Sequence, residues 1–288
     1  MKIGFGLPNP VPGIPGPTLL HLAQRADERG FSGLATIDRL AFPSFDSLTT
    51  LAAAAGATSR IELITNILLA PLYPAASLAK AAASIDQLSG GRFTLGVAPG
   101  SRSDDFELAG RPFDRRGRDF DAQLESLHQA WRGELLGDDK SGQPICPTPV
   151  RTQVPVLIGG TSDAALRRVI QWGAGWTAGG GGPRMAGEFA ARVRTAWAEA
   201  GRDGEPRVAA LTYFSLGDEV AEDSRGYLRG YYAFTGQWAE RIAESALRTP
   251  GAIRSAVTAF IDAGCTELYL VSTTSAPDQA DRLADVVF

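Results

Sequence analysis

Two side chains that build most reactive centres are nearly missing: the 288-residue chain has 2 histidines and 2 cysteines. His21 and His128 fall inside helical patterns, away from any strand end, and read as surface or packing residues. Without a His or Cys cluster no metal site and no Ser-His-Asp arrangement is expected. Cys146 and Cys265 lie far apart, which argues against a disulfide framework and for a reducing, cytoplasmic setting. No apolar run approaches the roughly 18 residues of a membrane span, and the N-terminus runs straight into a strand rather than a signal-peptide core. Charge of one sign is missing too. Lys and Arg number 28 against 32 Asp and Glu, a net −4 spread along the chain, so neither nucleic acid nor an anionic membrane surface is an expected partner.

What is present is apolar, periodic and regularly punctuated. The stretch 61–100 sets the pattern. A β-branched run at 61–69 is broken by Pro71 and Pro74, and Leu78, Ala81, Ala82, Ile85 and Leu88 then recur at helical spacing. Gly90-Gly91 closes that helix, and a second apolar run follows at 92–97. Strand, helix, strand in this order is a βαβ unit, whose crossover is right-handed. Further strands are predicted at 2–7, 33–37, 154–158, 176–178, 208–216 and 267–271, each followed by an amphipathic helix. Proline-rich residues 133–153 read as a loop, and aromatic-rich 219–247 as a helical insertion between strands seven and eight, broken near Gly236. Eight strands alternating with helices, without a polar linker, predict one α/β domain over 1–288: a (β/α)8 or TIM barrel. A doubly wound open sheet is the alternative that strand counting leaves open.

In a barrel the chemistry sits just after the strands. Those places hold Asp38 and Arg39, then residues 66–73, then Pro99, Gly100, Ser101 and Arg102. Strand five is followed by Gly159, Gly160, Thr161 and Ser162, and strand six by a glycine run with Gly180 and Gly181. Two glycine turns at one barrel mouth, one of them opening a helix, suit a phosphate. Glycines after strands are also common as plain turns, so position alone leaves both readings open.

The segment LAKAAASIDQLSGGRFTLGVAPGS, with RSDDFELAGRPFDRRGRDFD, PVLIGG and GAGW after it, resembles the bacterial-luciferase-like flavin-dependent oxidoreductases. The likeness runs from KIGFGLP to DQADRLADVV, nearly the whole chain. It implies the same barrel and a dissociable reduced FMN or, alternatively, a deazaflavin (coenzyme F420). It further implies a monooxygenase acting on a small organic substrate, a separate reductase that supplies the flavin, and a homodimer. Residue by residue, it places a bulge with a non-proline cis peptide at Asn66-Ile67 beneath the flavin ring. Pro99, Gly100 and Ser101 would touch the flavin tail; Gly159, Gly160, Thr161 and Ser162, joined by Gly180 and Gly181, would hold the phosphate. Three positions depart from the family pattern: the usual Gly-x-Gly after strand four is Gly96-Val-Ala98-Pro99-Gly100, a stiffer backbone, and two side chains differ. Asp38-Arg39 stands where many members have Asp-His, and Ser101 where deazaflavin sugar-phosphate dehydrogenases carry an acid, which argues against their proton relay. Asp38 and Arg39 are the candidate catalytic pair.

Several residues carry a plain reading beside the chemical one. Asp104 and Asp105 are expected to cap a short helix rather than form an acid/base pair. Arg115, Arg116 and Arg118 can reach a phosphate or simply charge a helix's first turn. Arg39 can neutralise a flavin or substrate anion, or pair with a neighbouring loop. Tyr213, Tyr231, Tyr232, Phe234 and Trp238 can line a pocket or pack the insertion. Hydride transfer with a deazaflavin and a non-catalytic flavin-binding barrel remain alternatives to oxygenation.

Overall fold

The computed structural model describes residues 1–137 and 142–288. Part of the loop expected at 133–153 therefore lies outside the described residues; its described portion after 142 has no helix or strand. Among the described residues nine strands form one wholly parallel sheet: β1 (Lys2–Gly6), β2 (Gly33–Thr36), β3 (Glu62–Thr65), β4 (Leu68–Leu69), β5 (Phe93–Ala98), β6 (Val156–Gly159), β7 (Gly175–Ala178), β8 (Arg207–Phe214) and β9 (Glu267–Ser272). Each pairs with the next except β3 and β4, and β9 pairs with β1, aligning Lys2 with Glu267 through Gly6 with Val271. On the other side β5 takes both β3 and β4, so these two short strands are halves of one barrel position. The ring is closed with eight positions. That excludes the open sheet.

The strands are apolar on both faces because one face meets the barrel interior and the other the helices. The outer layer is α1 (Gly16–Glu28), α2 (Ser47–Ala57), α3 (Ala75–Leu88), the short α4 (Ser103–Leu108), α5 (Arg116–Trp131), α6 (Asp163–Trp172), α7 (Gly182–Glu199), α8 (Ala221–Tyr231), α9 (Trp238–Ser245), α10 (Pro250–Asp262) and α11 (Gln279–Val287). In α3 the inward stripe is Leu78, Ala79, Ala82, Ala83 and Ile85, so Leu78, Ala82 and Ile85 fall where the spacing placed them, whereas Ala81 is half-buried and Leu88 is 70% exposed at the helix end; the small alanines let the helix lie close on the sheet. The insertion is α8 and α9, broken at Gly236 as its place in the sequence predicts. No helix of the described residues is long and apolar enough to cross a membrane.

The barrel interior is layered. At the N-terminal end of the strands the Arg207 guanidinium donates to Glu267 through Nε (2.6 Å) and Nη2 (2.8 Å), and to Thr94 Oγ1 (2.9 Å). Glu62 completes this ionic plug at 3.3 Å. Above it lie Ile64, Leu157, Ala209 and Leu211, all buried. Between β3 and β4 the Asn66-Ile67 peptide is cis. There β3 leans on β5, with Thr65 Oγ1 donating to the Gly96 carbonyl (2.8 Å). Gly96 is needed for this approach, since a Cβ at that position would sit 2.0 Å from the Thr65 carbonyl oxygen.

Candidate functional site

The C-terminal ends of the strands open into a cavity of about 340 Å3. Asp38, Asn66, Ile67, Pro99, Gly100, Ser101, Gly160 and Gly180 line it, so residues from five separate strand ends meet there. A second hollow of about 250 Å3 adjoins it, sharing Asn66, Ile67, Gly160 and Gly180 and adding Gly159 and Thr161. Gly181 lines a third, of about 480 Å3, between β8, α9 and α10. Arg39 and Ser162 line none of the three. A larger, more open hollow of about 550 Å3 lies outside the barrel against α5; it is lined by Tyr73 and Arg115 but by none of the residues proposed to touch the cofactor or to be catalytic.

Asp38 is 7% exposed. Its Oδ2 accepts from the Leu69 N–H (3.0 Å) and its Oδ1 from the Tyr73 hydroxyl at 3.4 Å. Burial pushes its carboxyl up to about 7, helped by the carboxylates of Asp46 and Asp105, while the two hydrogen bonds pull the other way. Asn66 directly follows β3 and is buried. Its Oδ1 accepts from Thr177 Oγ1 (2.7 Å), which fixes the amide and leaves the buried Nδ2 without a partner.

The glycine turn after β6 leads into α6, capped by Ser162, whose hydroxyl accepts from the Ala165 N–H at 3.2 Å. Gly160 takes φ +101, which a residue with a side chain rarely adopts. The other first-turn N–H groups have no intrahelical partner, as at any helix start, and the helix dipole favours an anion there. The unpartnered Asn66 amide and this turn line one hollow, a set of donors whose chemistry fits a phosphorylated ring cofactor.

Arg39 resolves toward its plain reading. Its side chain is 8% exposed, and Nη2 bonds Asp104 Oδ2 at 2.6 Å. Nη1 donates to the Tyr231 carbonyl (3.0 Å). Asp104 and Asp105 do not cap α4, contrary to expectation, because the loop after β2 claims them. Asp104 is taken by Arg39, and buried Asp105 accepts from the Ala41 N–H (2.7 Å). Arg116 pins the loop after β5, donating to the Gly100 carbonyl (3.1 Å), whereas Arg115 faces Asp119 on its own helix.

The insertion roofs the cavity. Tyr213, Tyr231, Tyr232 and Phe234 line it, while Trp238 is 53% exposed on the outside. The Tyr213 and Tyr232 hydroxyls meet at 2.6 Å, and burial holds both phenols above their usual range. Sequence reasoning missed Tyr73 and Thr177 as partners of Asp38 and Asn66. Tyr73 closes the run after strand three, and Thr177 is the polar residue inside strand six, yet neither position announces its partner. Sequence reasoning placed Arg102 after strand four, beside the Ser101 candidate, but gave it no role; Arg102 is part of the same lining.

The chain matches the family described as luciferase-like monooxygenases over residues 1–287. An uncharacterized protein of Mycobacterium tuberculosis (strain ATCC 25618 / H37Rv) is 33% identical over 225 residues, covering 68% of this chain and 78% of that protein. In fold, the chain is similar to an F420-dependent secondary alcohol dehydrogenase in complex with an F420-acetone adduct (TM-score 0.82, 18% identity, 99% of this chain and 98% of that one). It is also similar to the oxygenating constituent of 3,6-diketocamphane monooxygenase from Pseudomonas putida, a type II Baeyer-Villiger monooxygenase in complex with FMN (TM-score 0.77, 16% identity, 99% and 95%).

Proposed function

The chain belongs to the luciferase-like monooxygenase family, and from that premise we propose that it is a monooxygenase that takes reduced FMN as a cosubstrate and acts on a small organic molecule in the barrel mouth. The observation that most supports this is the composition of the mouth: one carboxyl, Asp38, and one guanidinium, Arg102, in a space otherwise walled by backbone, amide, aliphatic and aromatic groups. Such a site positions and shields more than it exchanges protons, which suits chemistry carried by a bound cofactor.

When bound, reduced FMN supplies the electrons with which oxygen is activated. The chain's own residues do the rest. Asn66 Nδ2, held by Thr177, donates toward the ring from beside the Asn66-Ile67 peptide. Gly159, Gly160, Thr161 and Ser162 hold the phosphate, with Gly180 and Gly181 as a second glycine turn, and Pro99, Gly100 and Ser101 flank the tail. Tyr231, Tyr232 and Phe234 exclude water. Asp38 is the catalytic group, holding or releasing a proton at Oδ1 near neutral pH, and Arg39 positions the loop that carries it. Supply of reduced FMN by a separate reductase, a homodimer and a cytoplasmic setting belong to the same reading.

Hydride transfer with coenzyme F420 is the second reading. It is favoured by the F420-dependent alcohol dehydrogenase of similar fold and by Asp38, whose carboxyl can carry the proton that accompanies a hydride. Against it stands Ser101. Anaerobic titration with reduced FMN and with reduced F420, followed by rapid mixing with air-saturated buffer, separates the two. The expected result is preference for FMN and an altered course of its reoxidation on the protein; preference for F420 with no response to oxygen would overturn the proposal.

A further inference from the structure

Arg102 precedes α4, at the end of the loop that follows β5. Its guanidinium lies 4.3 Å from the Phe234 ring centroid and 4.6 Å from that of Tyr231, both in the insertion. A stacked guanidinium keeps its N–H edges free for in-plane acceptors. Within the chain those edges are poorly used. Nη1 reaches the Tyr231 hydroxyl at 3.5 Å, and Nε is buried without a partner.

Of the neighbouring acids, Asp104 is committed elsewhere, while Asp105 acts on Arg102 only through its charge, without a hydrogen bond, and keeps its buried Oδ2 unpartnered. Asp104 bonds Arg39 at 2.6 Å; Asp105 accepts from the Ala41 N–H and faces Arg39 Nε at 3.9 Å. Among the described residues no ion pair within 4.0 Å forms to Arg102, although the two arginines share one aromatic cluster. Asp38, the carboxyl that lines the same cavity, is half-protonated near neutrality because burial raises it to about 7. The hollow beside the phosphate turn has no arginine in its wall. The mouth thus separates a neutral donor turn on one side from an unpaired, partly desolvated cation on the other.

We propose that Arg102 selects the substrate, and that the substrate is a small carboxylate whose apolar body lies against the Tyr231 and Phe234 rings. This rests on the reading of the mouth as the substrate site. A guanidinium fork matches a carboxylate with two parallel hydrogen bonds and gives a neutral amide of the same shape far less. The cavity of about 340 Å3 is lined by Arg102, Tyr231 and Phe234 together and exceeds the volume of a benzoate.

Benzoate and benzamide are the probes, titrated calorimetrically into the protein with and without oxidised FMN, for the parent, Arg102→Gln and Arg102→Lys. The expected result is benzoate bound about tenfold or more tighter than benzamide by the parent. Arg102→Gln should erase the difference and Arg102→Lys restore part of it, with the FMN dissociation constant unchanged within about twofold. Equal binding of the two probes by the parent, no binding of either, or a preference that survives in Arg102→Gln would overturn the assignment. A loss of FMN affinity in Arg102→Gln would overturn it in favour of a cofactor anion. Benzoate selectivity without any FMN binding by the parent would uphold Arg102 and sink the flavin reading instead. If Arg102→Gln does not fold, Arg102→Lys decides, since losing the fork must narrow the preference.

Discussion

Asp38→Asn tests the most unusual electrostatic feature of the mouth. The carboxyl ionises near 3.8 when free and at about 7 in the fold, because burial outweighs the Leu69 N–H and the Tyr73 hydroxyl. A raised carboxyl means that the folded state holds a proton that the unfolded chain has released. Between pH 4 and 7 the folded state binds more protons, so stability falls as pH rises across that window and levels off above it. A rise from 3.8 to about 7, at about 1.4 kcal/mol per unit, makes the loss about 4 kcal/mol at most. Asparagine keeps an oxygen for the Leu69 N–H but cannot ionise. Urea unfolding of both proteins at intervals from pH 4.5 to 8.5 is the assay. The variant should gain on the parent steadily as pH rises, by several kcal/mol in total. His128, whose ring burial lowers to about 4, titrates in both proteins and cancels from the difference. Parallel stability profiles would refute the argument, because they would mean that Asp38 ionises alike in the folded and unfolded chains.

Other expectations concern the scaffold and the ring contact. Arg207→Met strands Glu267, whose side chain is 5% exposed, and should cost about 3 kcal/mol, or about 5 °C in melting midpoint for a chain of this length. The double variant with Glu267→Leu should recover most of that loss, and a drop under about 1 °C for the single variant would contradict the plug. Gly96→Ala drives a methyl against the Thr65 carbonyl, a backbone atom, so a loss of about 3 kcal/mol or failure to fold is expected; a parent-like melting curve would show that the strands can part. Thr177→Val frees the Asn66 amide and should weaken FMN binding about fivefold to tenfold with a small change in melting. Unchanged FMN affinity by fluorescence titration would detach Asn66 from the cofactor.

Elements that rest on local pattern were legible without coordinates. The apolar runs became strands, Gly90 with φ +66 ended α3, and Gly236 with φ +59 broke the insertion. The mouth was legible in outline, because strand ends follow from strand positions. Its partnerships were not. Asp38 meets Tyr73, Asn66 meets Thr177, and Arg39 meets Asp104, separations of 35, 111 and 65 residues for which a single chain carries no periodic signal. The same blindness made Asp104 and Asp105 read as helix caps: local rules see a helix start, not a loop arriving from β2.

By itself the sequence determined the order of strands and helices, the apolar face of helices such as α1 and α5, and which residues follow each strand, because these depend on spacings of two to four residues along the chain. The tertiary structure alone decided that the sheet closes, through the pairing of β9 with β1. It also decided which cation keeps its charge unpaired: by composition and position Arg39 and Arg102 are alike, and only packing gives Asp104 to one and leaves the other open to the cavity.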